Sequence, residues 1–187
     1  YMMKALVTSA ERLNEVIVDL NVILSVGRQS VQKKEYIKFS QLVSAIKESI
    51  ANILEKEHAS FAIDFNEIDE LYTIKSYMYS IFYNLISNSI KYRRPDAPLE
   101  IGIKSQLVAN TVVLTFKDNG LGIDLKTHQK DLFGLYQRFH TKKADGKGMG
   151  LYMVKAQVEK LGGTISVKSK VNEGTEFTLV LIAKYSL

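Results

Sequence analysis

The stretch Gly146-Lys147-Gly148-Met149-Gly150-Leu151 gives the clearest structural signal in this sequence of 187 residues. A glycine stands at every second position, and a backbone without Cβ atoms can approach a ligand closely. The apolar residues that follow recur at the spacing of a helix: Leu151, Val154, Val158 and Leu161. The predicted helix therefore begins at Gly150, where unpaired N–H groups and the positive end of the helix dipole favour a phosphate. By itself the stretch is equally compatible with a turn that only starts a helix.

The composition is that of an ordinary globular protein, with 46% hydrophobic and 24% charged residues. Cysteine is absent, which excludes disulfides and thiolate metal sites. The formal net charge of +5 is spread over isolated pairs such as Lys33-Lys34, so we expect no nucleic-acid partner. No apolar run is long enough for a membrane span, and no signal peptide opens the sequence. These features predict a cytoplasmic location, with membrane attachment only through upstream regions if at all.

Residues 1–28 carry a heptad repeat of apolar side chains. One position of the repeat holds Met3, Ala10, Ile17 and Leu24, and the position three residues later holds Leu6, Leu13 and Leu20. This pattern predicts a long helix whose apolar seam pairs with other helices, as in a homodimeric coiled coil or bundle. A helix that packs on its own domain is the alternative. We place one domain at residues 1–28 and a second at residues 36–187.

The second domain alternates between helical and extended patterns. The predicted helices are a segment capped by Ser40 and reaching Leu54, Ser76 to about Arg93, a short stretch near Asp131–Phe139, and Gly150 to the glycines at 162–163. The predicted strands are Tyr36–Phe39, Phe61–Phe65, Leu71–Ile74, residues 99–108, residues 111–117, Thr164–Lys170 and Thr175–Ala183. Paired antiparallel strands with helices on one sheet predict an α+β fold, a two-layer α/β sandwich with a mixed sheet.

Asn84, Asn88 and Lys91 form a polar edge on the helix that is predicted to start at Ser76. At about 100° per residue, they lie within an arc of roughly 60°, away from the apolar face. Mg²⁺ takes oxygen ligands and needs only one or two protein groups besides phosphates and waters. A carboxamide oxygen can be such a ligand, and a lysine one turn away can meet the phosphates. The alternative is a solvated polar stripe.

The segment Asp118-Asn119-Gly120-Leu121-Gly122 follows a predicted strand. Such a turn is a common way to leave a sheet. As a binding element, Asp118 could accept a hydrogen bond from an exocyclic amine, while Gly120 and Gly122 leave space for a flat ring.

In this order and spacing, the segments resemble the sequence boxes of sensor histidine kinases. The matches are Asn84–Tyr92 with the N box, Asp118–Gly122 with the G1 box, Leu132–Phe139 with the F box, Gly146–Leu151 with the G2 box, and Gly174–Phe177 with the family's Gly-Thr-x-Phe. Residues 1–27 are similar to the second helix of the dimerisation and histidine-phosphotransfer hairpin. The resemblance implies a catalytic domain of the GHKL superfamily with a Bergerat-type ATP-binding fold.

The resemblance also implies ATP and Mg²⁺ as cofactors and a set of binding residues. The ATP-binding set is Asn84, Asn88, Lys91, Tyr92, Asp118, Gly120, Gly122, Gly146, Gly148, Gly150, Leu151 and Thr175. Asn88 would be the metal ligand, and Lys91 and Tyr92 would approach the phosphates or the ribose. Asp118 would hydrogen-bond the adenine amine, with Thr175 nearby. Residues 140–147 would form a mobile lid.

Two departures from the family pattern refine this expectation. ATP-hydrolysing members of the gyrase and chaperone types have a glutamate at the position of Asn84, and a carboxamide cannot act as a general base. This favours transfer over hydrolysis. The second departure is that His58, His128 and His140 do not stand in the histidine–acidic context of a phosphoacceptor.

The sequence is therefore interpreted as the C-terminal part of a sensor histidine kinase. It would transfer the γ-phosphoryl of Mg·ATP to a histidine elsewhere, for onward signalling to the receiver domain of a response regulator. Three alternatives remain at this stage: an ATP-operated conformational ATPase, a serine kinase of the anti-sigma type, and an adaptor that keeps the fold without nucleotide.

Overall fold

The computed structural model describes residues 33–128, 131–134 and 148–183. The predicted helix over residues 1–28, the first glycine of the quoted stretch (Gly146) and the predicted lid at residues 140–147 lie outside these ranges. The described residues belong to one compact unit that runs from Lys33 to Leu187. The division into domains at residues 1–28 and 36–187 stays a prediction.

The described part of the chain contains the following elements. The helices are α1 (Phe39–Ser49), α2 (Ala51–Lys56), α3 (Lys75–Lys91), α4 (Leu125–His128) and α5 (Gly150–Lys160). The strands are β1 (Glu35–Lys38), β2 (Ser60–Asp64), β3 (Glu70–Thr73), β4 (Glu100–Val108), β5 (Thr111–Asp118), β6 (Thr164–Lys170) and β7 (Gly174–Ile182). None of these helices has the length and apolar character needed to cross a membrane.

The main sheet has five strands in the order β2-β4-β5-β7-β6. β2 runs parallel to β4, and the other neighbours are antiparallel, which confirms the mixed sheet. β1 and β3 form a separate antiparallel pair. The register places Asp118 at the end of β5 opposite Thr175 at the start of β7. Two predicted site residues that are far apart in sequence are therefore neighbours in the sheet.

The core lies between one face of the sheet and the helices. The buried side chains of the three central strands occur at alternate positions, which all lie on one face: Ile101, Ile103, Val112, Leu114, Phe116, Phe177, Leu179 and Leu181. Phe82 of α3 connects the layers, because its ring lies 5.9 Å from that of Phe39 and 4.8 Å from that of Phe116. α3 is thus anchored on the sheet along the face opposite its polar residues.

The start of α1 differs from its prediction. Phe39 is the first helical residue rather than the end of a strand, and Ser40 lies inside the helix. The cap comes from Asp69, whose carboxylate accepts hydrogen bonds from the N–H of Ser40 at 2.8 Å and from its hydroxyl at 2.6 Å. The carbonyl of Asp69 accepts the N–H of Phe39 at 2.7 Å. These bonds satisfy N–H groups that have no partner within a helix.

Two other elements also depart from the predicted boundaries. α3 begins at Lys75, with Ile74 rather than Ser76 at the cap position, and it ends at Lys91. A short helix, Leu125–His128, follows the G1 box where none was predicted. Of the helix predicted near Asp131–Phe139, residues 131–133 form a turn, and residues 135–139 lie outside the described ranges. Helix ends differ by one or two residues between definitions, and the shifts at both ends of α3 lie within that range.

Candidate functional site

The polar edge of α3 has the predicted geometry. Asn84, Asn88 and Lys91 are partly exposed, whereas the residues between them on the other faces include buried Leu85 and Ile86. The Asn84 amide donates from Nδ2 to the carbonyl of Ser80 at 2.8 Å. A carbonyl oxygen can only accept, so the Asn84 atom that bonds the Ser80 carbonyl must be the amide nitrogen. The Asn84 Oδ1 atom is then directed away from that carbonyl.

The beginning of α5 lies directly against this edge. A Cβ atom added to Gly150 would stand 2.9 Å from Asn84 Oδ1 and 3.9 Å from Asn88 Nδ2. Only glycine permits this approach without movement of Asn84. The first backbone bond inside α5 is from Met153 N–H to the carbonyl of Met149, so the N–H groups before Met153 have no partner within the helix. The carboxamides of Asn84 and Asn88 therefore lie next to the first N–H groups of α5.

Asp118 forms a second centre, at the end of β5. Its Oδ1 atom accepts the N–H groups of Gly120 at 2.9 Å and Thr175 at 3.2 Å, and its Oδ2 atom accepts the hydroxyl of Ser89 at 3.2 Å. Burial raises the pKa of the Asp118 carboxyl above its usual 3.8, against the opposing effect of these three hydrogen bonds. A carboxylate oxygen can accept more than one hydrogen bond, so Oδ2 retains capacity for a further donor such as an amine.

The loop after Asp118 is held by close backbone contacts. Leu121 donates its N–H to the carbonyl of Tyr92 at 2.9 Å, which joins the loop to the end of α3. Gly122 has a φ of +65°, and a Cβ atom there would lie 1.9 Å from the carbonyl oxygen of Lys170. A side chain at this position would therefore be both strained and in collision with the backbone. Gly122 thus shapes the loop, and the predicted role of Gly120 and Gly122 beside a flat ring stays a prediction.

Thr175 is buried, with 7% of its surface exposed, and its hydroxyl lies 2.9 Å from the hydroxyl of Ser169. Ser169 also accepts the N–H of Ile123 at 2.8 Å. The turn of β6 and β7 is in this way attached to the loop that carries Gly122.

Lys91 and Tyr92 lie together at the end of α3, where the lysine Nζ is 5.4 Å from the centroid of the tyrosine ring. Leu151 is partly buried and packs against the hydrophobic core. The contact of these residues with a nucleotide stays a prediction. Gly148 is also described and has a φ of +71°.

Ser89 belongs to the candidate site but was not predicted from the sequence. It lies within the N box, next to Asn88, but it is buried and its hydroxyl reaches both the carbonyl of Leu85 at 3.1 Å and Asp118. Its only sequence signal is a small polar residue on the apolar face of α3. The partner, 29 residues away, becomes visible only in the fold.

The structure thus brings the predicted residues together in two groups. Asn84, Asn88 and Gly150 meet between α3 and α5, and Asp118, with its loop and Thr175, lies at the junction of β5 and β7. No cluster of three or more histidine and acidic side chains occurs within the described ranges. A metal ion at the first group would depend on carboxamide oxygens and on the ligand's own phosphates, a donor set that suits Mg²⁺.

The carboxamides of α3 lie against the start of α5, and the half-buried Asp118 accepts the N–H of Gly120 in the loop that follows β5. The family model described as "Histidine kinase-, DNA gyrase B-, and HSP90-like ATPase" matches residues 73–184, which is more than half of the chain. The chain belongs to this family, and its relatives identify the domain as the catalytic ATP-binding domain of a histidine kinase.

Individual relatives support this assignment. Histidine protein kinase SaeS of Staphylococcus aureus (strain USA300) is 25% identical over 179 residues, which are 94% of this chain and 51% of that protein. The chain therefore spans about half the length of the curated relatives it matches. Among solved structures, histidine kinase AdeS of Acinetobacter baumannii has a TM-score of 0.79 at 22% identity, covering 98% of this chain and 84% of that one. Full-length ShkA in complex with AMPPNP has a TM-score of 0.78 at 16% identity, covering 96% of this chain and 38% of that one. These two structures share the fold.

Proposed function

We propose that the chain is the catalytic part of a two-component sensor histidine kinase that transfers the γ-phosphoryl group of Mg·ATP to a histidine of its signalling partner domain. The observation that carries the proposal is the contact of Gly150 with Asn84 and Asn88. It brings the proposed metal-binding edge next to the N-terminus of a helix, a place that favours phosphate groups.

At the adenine end, Asp118 would accept a hydrogen bond from the exocyclic amine. Its carboxylate is already oriented by Gly120, Thr175 and Ser89, so little reorganisation is needed when a ligand binds. Guanine has a carbonyl oxygen at the corresponding position, and an acceptor opposite an acceptor is repelled. Asp118 would therefore select adenine over guanine.

At the phosphate end, Asn88 would be the Mg²⁺ ligand, with Asn84 beside it. The bound ion would neutralise charge on the phosphates and align them for transfer. The N–H groups at Gly148 and Gly150, and Gly146 outside the described residues, would bind phosphate oxygens. Lys91 would add a positive charge near the end of α3. These residues bind and orient the nucleotide, which is the main contribution a protein makes to phosphoryl transfer.

The side chain of Asn84 favours transfer over hydrolysis. A carboxamide cannot take the proton of an attacking water, so the nucleophile and its base would both come with the acceptor domain. His58 is exposed in a turn after α2, with a φ of 48°, and His128 ends the short α4. Neither lies on a helix long enough to present a phosphoacceptor, and His140 lies outside the described residues. We infer that the acceptor is a different histidine.

The same proposal includes the partners. Residues 1–28 would provide a helix for homodimerisation, and a response regulator receiver domain would take the phosphoryl group from the histidine. The chain would bind ATP and the regulator in the cytoplasm. Other regions of the protein would provide any attachment to a membrane.

Calorimetric titration of ATP, with and without Mg²⁺, tests the proposal. We expect Mg²⁺ to increase the affinity of the unmutated protein, and Asn88→Ala to remove most of that increase while the fold is retained. Asn52→Ala, on the exposed side of α2, is the matched control and should bind like the unmutated protein. If Asn88→Ala keeps the full Mg²⁺ dependence, the metal assignment is wrong, and if no variant binds ATP, the proposed function is wrong.

A further inference from the structure

The interface of α3 and α5 contains a buried amide that packing alone does not explain. Gln157 of α5 is only 1% exposed and is surrounded along its helix by buried apolar residues such as Val154 and Val158. Its Nε2 atom donates to the hydroxyl of Ser80 on α3 at 3.1 Å. Its Oε1 atom is buried and has no hydrogen-bond partner among the described residues.

A buried amide oxygen without a partner is destabilising, because the group has lost its hydrogen bonds to water. An unbranched apolar side chain of similar length, such as methionine, would fill the same space without that penalty. Stability therefore gives no reason for a glutamine at this position. A residue that lowers stability in a binding domain is expected to serve the site instead.

The contacts of Gln157 connect it to the predicted phosphate end. The Ser80 hydroxyl that accepts from Gln157 also lies 3.4 Å from Asn84 Nδ2, and the Ser80 carbonyl accepts from the same nitrogen at 2.8 Å. Asn84 Oδ1 in turn faces Gly150, at the beginning of the helix that carries Gln157. A chain of polar contacts thus runs from Gln157 of α5 to Ser80 and Asn84 of α3, and Asn84 in turn lies against Gly150 of α5.

We propose that Ser80 and Gln157 are positioning residues for Asn84. Together they keep the amide nitrogen of Asn84 directed at Ser80, so that its oxygen faces the start of α5. They also fix the position of α5 along the axis of α3. This inference rests on the proposed function, because its consequence is tighter binding of Mg·ATP.

Gln157→Met and Ser80→Ala test the inference. We expect each to weaken the binding of Mg·ATP by about fivefold to tenfold, which is the size expected from loss of one hydrogen bond that orients a ligand-binding group. The melting temperature of Gln157→Met should be unchanged or higher, because the unpaired oxygen is gone. Since both residues act on the same amide, the double variant should bind about as weakly as the weaker single variant.

Val158→Ala is the matched control, because this fully buried residue lies on the same helix and belongs to the hydrophobic core. It should lower the melting temperature and leave ATP affinity unchanged at a temperature where the protein is folded. The inference is overturned if Gln157→Met binds Mg·ATP like the unmutated protein, or if its affinity falls only together with its stability. Absence of ATP binding by the unmutated protein would overturn the proposed function and this inference together, whereas equal binding by all variants overturns the inference alone.

Discussion

Replacing Gly150 with alanine separates the stability of the domain from its ability to bind nucleotide. The new Cβ atom would stand 2.9 Å from Asn84 Oδ1, closer than such atoms approach in folded proteins. The obstructing atom is the end of a side chain, so Asn84 can rotate away. Rotation would break the bond from its Nδ2 atom to the Ser80 carbonyl, which is 2.8 Å long.

The opposing contributions to stability are similar in size. Alanine is favoured over glycine within a helix by up to about 1 kcal/mol. Loss of the Asn84–Ser80 hydrogen bond costs about 1 kcal/mol. We therefore expect the free energy of unfolding to change by less than about 1 kcal/mol. The affinity for Mg·ATP should fall by at least about tenfold, because a displaced Asn84 and a methyl group at the helix start both interfere with the phosphates.

Urea denaturation measures the first quantity and calorimetric titration measures the second. Gly102→Ala is the control, because its Cβ atom would meet only Lys117, at an ordinary 3.8 Å. That variant should retain both stability and affinity. The reasoning is refuted if Gly150→Ala binds Mg·ATP like Gly102→Ala, or if it loses several kcal/mol of stability.

Three further predictions follow from the same geometry. Because burial raises the folded-state pKa of Asp118 above 3.8, its contribution to stability is present at acidic pH and lost as the pH rises through the raised pKa. Asp118→Asn should flatten the melting-temperature profile in the pH range where Asp118 titrates. The proposed role of Asp118 in selecting adenine would be contradicted if GTP competed as well as ATP for the unmutated protein. Gly122→Ala should lower the free energy of unfolding in urea by about 2 kcal/mol or more, since it adds a strained φ to a backbone collision, and an unchanged midpoint would contradict this. With ATP carrying a radioactive γ-phosphate, the chain should not label itself but should place an acid-labile label on an added histidine-containing hairpin. Self-labelling that disappears when one of its own 3 histidines is replaced would show that the acceptor lies within the chain.

The sequence predicts those features of the fold that depend on neighbouring residues. β6 has its predicted bounds, Thr164–Lys170, because its seven residues alternate between exposed and partly buried positions, as the sequence pattern requires. The polar edge of α3 follows from helix periodicity alone. The cap of α1 by Asp69 could not be predicted, because Ser40 and Asp69 are 29 residues apart in sequence. An acidic residue of any other loop could equally have capped the helix.

Strand pairing and buried polar contacts are the other features that the sequence leaves open. The strands around the acidic turn at residues 66–69 do not pair with each other, since β2 joins β4 and β3 joins β1. The contacts of Ser89 and Gln157 could not be predicted either. The role of a polar residue on an apolar helix face depends on which residue of another element packs against it.

α3 connects the two ends of the site through consecutive residues. Asn88 lies at the edge that meets Gly150, and Ser89, about 100° further round the helix, is buried and donates to Asp118. A rotation of α3 that improved one contact would disturb the other, so the helix must hold a single orientation for both ends to be complete. Phe82, which stacks on Phe39 and meets Phe116 edge to face, fixes that orientation from the core side. The hydrophobic packing of α3 therefore sets the distance between the predicted adenine and phosphate positions.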